Sequence, residues 1–150
     1  MPERYFEDFQ VGEVFTSRGV TVTESMIIDF AYRYDPQPFH INVEAAKASH
    51  YQGLISSGFL TLALAGRMFL SEQIFADSSM GSPGMDEIRW LLPVRPGDTI
   101  HVKGEVHGTR PSSSRSDRGY LDMVFQVFNQ RDEVVMTYRI NQIIASRSRE

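Results

Sequence analysis

Alternation of apolar and polar residues is concentrated in the second half of the chain, where it predicts four β-strands. Two of the segments, DEIRWLLPV and TIHVKGEV, precede a serine-rich stretch, and two others, YLDMVFQVF and EVVMTYRINQII, follow it. They are rich in β-branched and aromatic residues, and the short segments RPGD and NQRD between them are typical of tight turns. We therefore predict two antiparallel pairs of strands, connected by a long loop over the serine-rich residues 108–119.

The first half of the chain has helical periodicity instead, which begins after a further extended segment, EVFTSRGVTV. Thr21 and Glu24 have the spacing of a capping box, with Thr23 as a competing cap, and apolar residues then recur on one helical face. The segment DPQP that follows places two residues before prolines, and such residues are disfavoured in helical backbone. The first helix should therefore end near Tyr34.

Two more helices are predicted between that point and the strands. A short helix lies around VEAAKAS, and a long one runs from Gly58 to about Ile74 and is apolar on nearly every side. A helix of that kind is typically buried at the centre of a fold. One extended segment, several helices and four consecutive antiparallel strands indicate an α+β fold, in which a curved sheet wraps around the central helix.

Composition narrows the class of protein further. Of the 150 residues 41% are hydrophobic, enough for one core, so we predict a single domain over residues 1–150. The absence of cysteine excludes disulfides and thiolate metal sites and favours the reducing cytoplasm. A net charge of −4 argues against nucleic acid as a partner. The N-terminus has no apolar signal core, and the most hydrophobic run, GFLTLALAGRMFL, is too short to span a membrane, so we expect no membrane partner.

The segment YDPQPFH carries the first candidate chemistry, because it places Asp35 and His40 five positions apart. A carboxylate and an imidazole that converge on one water are equipped for general acid–base catalysis. A fully extended chain would hold the two residues about 16 Å apart, so convergence requires the proline-containing segment to fold back. The alternative is an aspartate that only ends a helix, followed by an incidental histidine.

The segment LISSGF supplies a second candidate site, at the start of the long apolar helix. The first N–H groups of a helix have no intrahelical partner, and Gly58 would let a ligand carbonyl approach them closely. Ser56 or Ser57 can cap the same helix, a role that is compatible with an oxyanion site. Ser57 is a poor nucleophile candidate, because no Gly-x-Ser-x-Gly elbow surrounds it.

From YFEDFQVGEVF through TVTESMIIDFA, YDPQPFH, GLISSGF and RWLLPVRPGDTI, nearly the whole chain resembles the MaoC-like dehydratase family, relatives of the (R)-specific enoyl-CoA hydratases. The resemblance implies a hot-dog fold and a homodimer, or a higher homo-oligomer, with the active site at the seam. The family's hydratase motif, Asp-x-Asn-Pro-x-His, falls here on Asp35, Pro38 and His40, and its Asp and His act on the water added to an enoyl thioester. The family's glycine that offers its N–H to the thioester carbonyl falls on Gly58.

This chain departs from the family pattern at three positions. Gln37 replaces the motif's usual Asn, Ser57 stands where many members have His, and Gly66 lies where some have Ser. We expect Gln37, Ser57 and the neighbouring Phe39 to line the substrate pocket. Changes at these positions would reshape its wall, so methyl-branched or dicarboxylic acyl-CoA thioesters are substrates to consider beside straight-chain ones.

The function implied is reversible hydration of an enoyl-CoA to the 3-hydroxyacyl-CoA, with Asp35, His40 and Gly58 as catalytic residues. The acyl-CoA is the substrate, and no cofactor is implied because the sequence has no glycine-rich dinucleotide fingerprint or phosphate loop. Two alternatives stay open: a hot-dog thioesterase, in which water would attack C1, and a non-catalytic acyl-thioester-binding subunit. A subunit that only binds needs neither Asp35 nor His40 to point inward.

The serine-rich stretch contains Arg110, Arg115 and Arg118, whose guanidinium groups suit phosphate oxygens. We predict that Arg115 and Arg118 contact the phosphates of coenzyme A, while a purely solvated loop is the alternative reading. His101 and His107 are six positions apart on a predicted strand and would face the same side. No third ligand lies at a suitable spacing, so we predict no metal site.

Overall fold

The computed structural model describes residues 4–147 and contains a six-stranded antiparallel sheet. The strands are β1 (Val14–Thr16), β2 (Val20–Thr21), β3 (Met85–Trp90), β4 (Thr99–Pro111), β5 (Arg118–Phe128) and β6 (Val134–Ala145). Their order in the sheet is β1-β4-β5-β6-β3, and β2 pairs with another part of β4. β3 therefore lies at one edge, beside β6. The α+β architecture expected for a hot-dog fold, a curved antiparallel sheet around a helix, is confirmed.

The helices are α1 (Glu24–Tyr34), α2 (Pro38–Ile41), α3 (Val43–Ala48) and α4 (Gly58–Ser71). Thr23, not Thr21, caps α1, because its hydroxyl accepts from the Met26 N–H at 3.2 Å. α4 ends three residues before the predicted Ile74, and Gln73 has a left-handed backbone with φ of 55°, which helical backbone does not allow. Within residues 4–147, no helix combines the length and hydrophobicity needed to cross a membrane.

α4 packs against one face of the sheet, and its buried residues belong to the hydrophobic core. Phe69 of α4 makes an edge-to-face contact with Phe125 of β5, with ring centroids 4.9 Å apart. Both rings lie over Gly104 of β4, where a Cβ atom would come within 2.8 Å of Phe125 and 2.9 Å of Phe69. The absence of a side chain at Gly104 therefore lets the helix approach the sheet closely.

The predicted loop over residues 108–119 is shorter than expected. β4 continues to Pro111 and β5 begins at Arg118, with Arg110 paired to Tyr120, so only residues 112–117 connect the strands. Serine and arginine disfavour strand structure only weakly, and pairing with the neighbouring strand overrides that preference. The N-terminal extended segment likewise divides into β1 and β2, which both pair with β4.

Candidate active site

A cleft with a volume of about 540 Å³ opens beside the N-terminus of α4. Most of its wall is apolar and comes from the segment that follows β3, from the residues before α4, and from the start of β6. The polar side chains of the lining are those of Asp35, Gln37, His40, Tyr51, Ser56 and Thr61. The titratable side chains that line the cleft are Asp35, His40 and Tyr51. No lysine or arginine is among the described residues that line it.

A tight turn brings Asp35 and His40 together. Asp35 is the C-cap of α1, and its backbone leaves the helical region with φ of −159° and ψ of 68°. The Gln37 N–H donates to the Asp35 carbonyl oxygen at 2.8 Å, and α2 begins at Pro38. The turn places His40 Nε2 3.3 Å from Asp35 Oδ2. The fold-back that convergence requires is therefore present.

The orientation of His40 is fixed by the backbone before α4. The ring is 4% exposed, and its Nδ1 lies 2.7 Å from the Ile55 carbonyl oxygen. Because a carbonyl oxygen can only accept a hydrogen bond, Nδ1 must carry a hydrogen. Nε2 is then the nitrogen that faces Asp35, and it is the one that can take up or release a proton in the cleft.

Two uncharged side chains hold the Asp35 carboxylate. Gln37 Nε2 donates to Oδ1 at 2.7 Å, and Ser57 Oγ donates to Oδ2 at 2.7 Å. Burial raises the pKa of the Asp35 carboxyl, but these two hydrogen bonds, together with the positive charge of His40 whenever its ring is protonated, outweigh it and leave the pKa below its usual value. Asp35 is therefore ionised at neutral pH, and within residues 4–147 no lysine or arginine forms an ion pair with it.

Gly58 is the first residue of α4 and lines the cleft. The next N–H, that of Phe59, donates to Ser57 Oγ at 3.2 Å, whereas the Gly58 N–H has no acceptor among the described residues. The indole of Trp90 covers the glycine, and its Nε1–H donates to the Gly58 carbonyl oxygen at 3.0 Å. A Cβ atom on Gly58 would lie 2.4 Å from Trp90 Cε2, so this position accommodates no side chain unless the indole moves.

The structure brings together most of the predicted site residues. Asp35, His40, Gly58, Gln37 and Phe39 all line the cleft. Ser57, which we expected to contact substrate, is instead completely buried, with 0% exposure, and it is not part of the cleft surface among residues 4–147. Its hydroxyl lies beneath the cleft surface and donates a hydrogen bond to Asp35.

Within one subunit, Arg115 and Arg118 do not line the cleft that contains Asp35, His40 and Gly58. They line a second cleft of about 330 Å³ together with Arg147. The first cleft includes Val135, at the start of β6, and the second includes Ser146, just after its end. The two clefts thus lie at opposite ends of β6. Contact between Arg115 or Arg118 and a substrate stays a prediction.

Three features of the site had no clear sequence signal. The Ile55 carbonyl that orients His40 is a backbone group, whose direction no residue type reveals. Tyr51 and Val135 line the cleft from distant parts of the chain. The position of Trp90 over Gly58 depends on the pairing of β3 with β6.

The two histidines of β4 have other partners. His101 stacks on Phe128 with ring centroids 5.2 Å apart, and His107 Nε2 lies 3.3 Å from Glu105 Oε2. In the part of the chain that the structure describes, no group of three or more His, Asp or Glu side chains could hold a metal ion.

Comparison with known proteins identifies relatives over nearly the whole chain. The family profile described as MaoC like domain matches residues 8–120. Uncharacterized protein YdeM of Bacillus subtilis (strain 168) is 28% identical over 138 residues, which cover 92% of this chain and 96% of that protein. The crystal structure of the MaoC-like dehydratase from Rhodospirillum rubrum has a TM-score of 0.91 and 36% identity, covering 97% of this chain and 99% of the other.

A third similar protein has a different kind of name. The structure described as a monoamine oxidase regulatory protein from Archaeoglobus fulgius has a TM-score of 0.87 and 32% identity, with 97% of each chain covered. Proteins similar to this chain are thus named as a dehydratase, as a regulatory protein and as uncharacterized.

Proposed function

The chain belongs to the family of MaoC-like domains, and from that membership we propose that it is a hydro-lyase that reversibly hydrates an enoyl-CoA thioester. The observation that carries the proposal is the convergence of Asp35, His40 and Gly58 on one cleft. A protein that only binds thioesters needs a carbonyl site but gains nothing from a buried histidine whose free nitrogen lies 3.3 Å from a carboxylate.

The proposed reaction uses each group for one task. The Gly58 N–H, at the positive end of α4, binds the thioester oxygen and stabilises the negative charge that develops there. The Asp35 carboxylate and His40 Nε2 both accept hydrogen bonds from one water, so a lone pair of its oxygen is left to attack C3. The O–H bond breaks as the O–C3 bond forms, and the π electrons move to give an enolate.

The enolate then receives a proton at C2 from the Asp35–His40 pair, which restores both groups and completes the addition of water. The reverse sequence removes C2–H and the 3-hydroxyl and gives the enoyl thioester. Because Asp35 and His40 lie on one side of the cleft, we expect oxygen and hydrogen to add to the same face of the double bond.

The cleft lining supports an uncharged acyl chain as the substrate. Among the lining residues that the structure describes, Phe39, Ile55, Leu92 and Val94 are apolar, and none is a lysine or arginine. A second carboxylate on the acyl chain would lose hydration without gaining a cation, which is costly. We therefore favour straight or methyl-branched enoyl-CoA over dicarboxylic ones.

A homodimer is part of the proposal. On α4, Phe59 is 56% exposed and Leu70 is 59% exposed, although the buried residues of the helix belong to the core. Leu91, 53% exposed, follows the edge strand β3, which pairs on one side only within the described residues. A second copy placed on this face would cover the apolar side chains, and it could bring its own Arg115 toward the coenzyme A phosphates.

The test is an assay of the purified protein against enoyl-CoA thioesters of different chain length, branching and terminal charge. Hydration removes the conjugated double bond and its ultraviolet absorbance, and a thiol reagent reports any release of coenzyme A. We expect absorbance to fall without thiol release, and to fall least with dicarboxylic substrates. A protein that releases thiol from enoyl and saturated thioesters alike is a thioesterase, and the proposal is then wrong.

A further inference from the structure

Ser57 occupies the junction between the carbonyl site and the Asp35 carboxylate. It is the N-cap of α4, is fully buried with 0% exposure, and precedes Gly58. We propose that Ser57 is a positioning residue, whose hydroxyl fixes the Asp35 carboxylate relative to the first turn of α4. The role of Ser57 in turnover rests on the hydratase function proposed above, whereas its hydrogen bond to Asp35 can be tested without any enzymatic activity.

The direction of the two hydrogen bonds at Ser57 follows from chemistry. A hydroxyl has one hydrogen, and the backbone N–H of Phe59 can only donate, so the 3.2 Å contact uses a lone pair of Oγ. The hydroxyl hydrogen is then directed to Asp35 Oδ2 at 2.7 Å. A cap needs only the acceptor role, so the donation to Asp35 is an additional function of the side chain.

The backbone of Ser57 is held in place by hydrogen bonds of its own carbonyl group and of the preceding N–H. Its carbonyl oxygen accepts from the Thr61 N–H at 3.1 Å and from Ser56 Oγ at 3.1 Å. The N–H of Ser56 donates to the Val94 carbonyl oxygen at 2.7 Å. Because the same turn presents the Gly58 N–H, one rigid unit sets both the carboxylate and the proposed carbonyl donor.

Few other groups can influence the charge of Asp35. His40 of α2 faces the carboxylate, Tyr51 lines the same cleft, and Arg33 lies two residues earlier on α1 without an ion pair to Asp35 within residues 4–147. The hydrogen bond from Ser57 is one of the contacts that lower the pKa of Asp35. Its removal should raise that pKa and leave Oδ2 free to turn away from the attacking water.

Two substitutions separate this role from simple capping. Alanine removes the hydroxyl and is a poor N-cap, whereas glycine removes the hydroxyl but caps nearly as well as serine. Ser57→Ala and Ser57→Gly should therefore differ in melting temperature and agree in their effect on Asp35. Ser57→Thr keeps the hydroxyl and should restore the parent behaviour. Thr23→Ala, which removes the cap of α1, is the matched control for loss of a cap away from the cleft.

The primary readout is the titration of the Asp35 carboxyl carbon by NMR, in the full chain and without substrate. We expect the pKa of Asp35 to rise equally in Ser57→Ala and Ser57→Gly, and to stay at the parent value in Ser57→Thr and Thr23→Ala. An Asp35 titration that is unchanged in both Ser57→Ala and Ser57→Gly overturns the proposal, whether or not the protein hydrates any thioester.

Turnover gives the second readout where the parent hydrates an enoyl-CoA. Loss of a hydrogen bond to a charged group should lower kcat about ten- to a hundredfold in Ser57→Ala and Ser57→Gly, with KM changed much less. If the parent protein has no hydratase activity, only the proposed function is contradicted, because the NMR titration still tests whether Ser57 positions Asp35. Normal kcat in Ser57→Gly combined with low kcat in Ser57→Ala would show that Ser57 acts only as a cap.

Discussion

The carboxylate of Asp35, in the first cleft, and that of Asp117, next to the second, are held by different kinds of partner. In the cleft beside α4, the Asp35 side chain is 14% exposed, and its carboxylate is held by neutral donors and by His40. Arg118 lines the cleft at the other end of β6, and its Nε lies 2.8 Å from Oδ1 of the adjacent Asp117, whose side chain is 63% exposed. The pKa of both carboxyls is lowered, but in Asp117 the Arg118 guanidinium is the main cause.

The difference separates a reactive carboxylate from a structural one. The charge of Asp117 is neutralised by a permanent cation, so its oxygens are already occupied and well hydrated. Asp35 keeps a negative charge in a largely apolar cleft, beside the His40 Nε2 nitrogen and in the same cleft as the Gly58 N–H, which has no acceptor among the described residues. A lowered pKa alone would not have distinguished the two residues, and the identity of the hydrogen-bond partners does.

The largest expected effect comes from replacing each carboxylate by its amide. Asp35→Asn keeps size and one acceptor oxygen but cannot exchange a proton, so hydration turnover should fall by about 10²- to 10⁴-fold. Asp117→Asn is the matched control and should hydrate at the parent rate. Steady-state kinetics with an accepted enoyl-CoA, together with melting temperatures, checks both. Equal turnover in the two variants would mean that Asp35 contributes no more to hydration than Asp117 does.

A smaller effect is expected from adding one methyl group to the cleft wall. In Gly58→Ala the new Cβ must displace the Trp90 indole, so we expect a change in fluorescence of this single tryptophan and strongly reduced hydration. Gly66→Ala is the control on the same helix, because nothing lies within 4 Å of a Cβ there. It should stabilise the fold by about 0.5–1 kcal/mol without loss of turnover. Full activity in Gly58→Ala would place the thioester carbonyl elsewhere.

We predict that the cleft lined by Arg115 and Arg118 contributes to binding of coenzyme A and does not affect the rate of the chemical step. Arg115→Ala should raise KM for an enoyl-CoA by about tenfold, the factor for one lost hydrogen bond to a charged group, with kcat nearly unchanged. The same enoyl group on N-acetylcysteamine lacks the phosphates, so its KM should not respond. If KM responds equally for both thioesters, the side chain does not recognise phosphate.

The smallest effect concerns stability at low pH. Because the folded-state pKa of Asp35 is lowered, ionised Asp35 contributes stability that is present above the unfolded pKa of about 3.9. That contribution is lost as the pH falls through the folded pKa. Urea unfolding should therefore show the free-energy difference between the parent and Asp35→Asn shrinking as pH drops below about 4. A difference that does not depend on pH would mean that the pKa of Asp35 is not lowered by folding.

The sequence predicted the parts of the fold that depend on local backbone chemistry. The end of α1 before Pro36 and the start of α4 at Gly58 were both predicted at the correct residues. The length of the connection between β4 and β5 was not, because pairing of Arg110 with Tyr120 is decided by the neighbouring strand and not by local propensity.

The residues of the candidate site likewise fall into those that the sequence identifies and those that only the folded structure identifies. Asp35, His40 and Gly58 could be named from their motif, since their residue types carry the chemistry. The role of Ser57 could not, because a capping serine and a serine that also donates to a carboxylate look identical in sequence. The separation of Arg115 from the Asp35 cleft likewise depends on the length of β6, which only the folded chain reveals.

Hydration of an enoyl-CoA in water enriched in oxygen-18, followed by mass spectrometry of the products, shows which carbon atom receives the oxygen of the water. We predict that the parent protein places the label on C3 of a 3-hydroxyacyl-CoA whose thioester is intact, and that Asp35→Asn does not. Label in a free carboxylate would mean that water attacks C1 and that the protein is a thioesterase. Unlabelled starting material at every chain length would mean that Asp35 and His40 do not activate water for this substrate class.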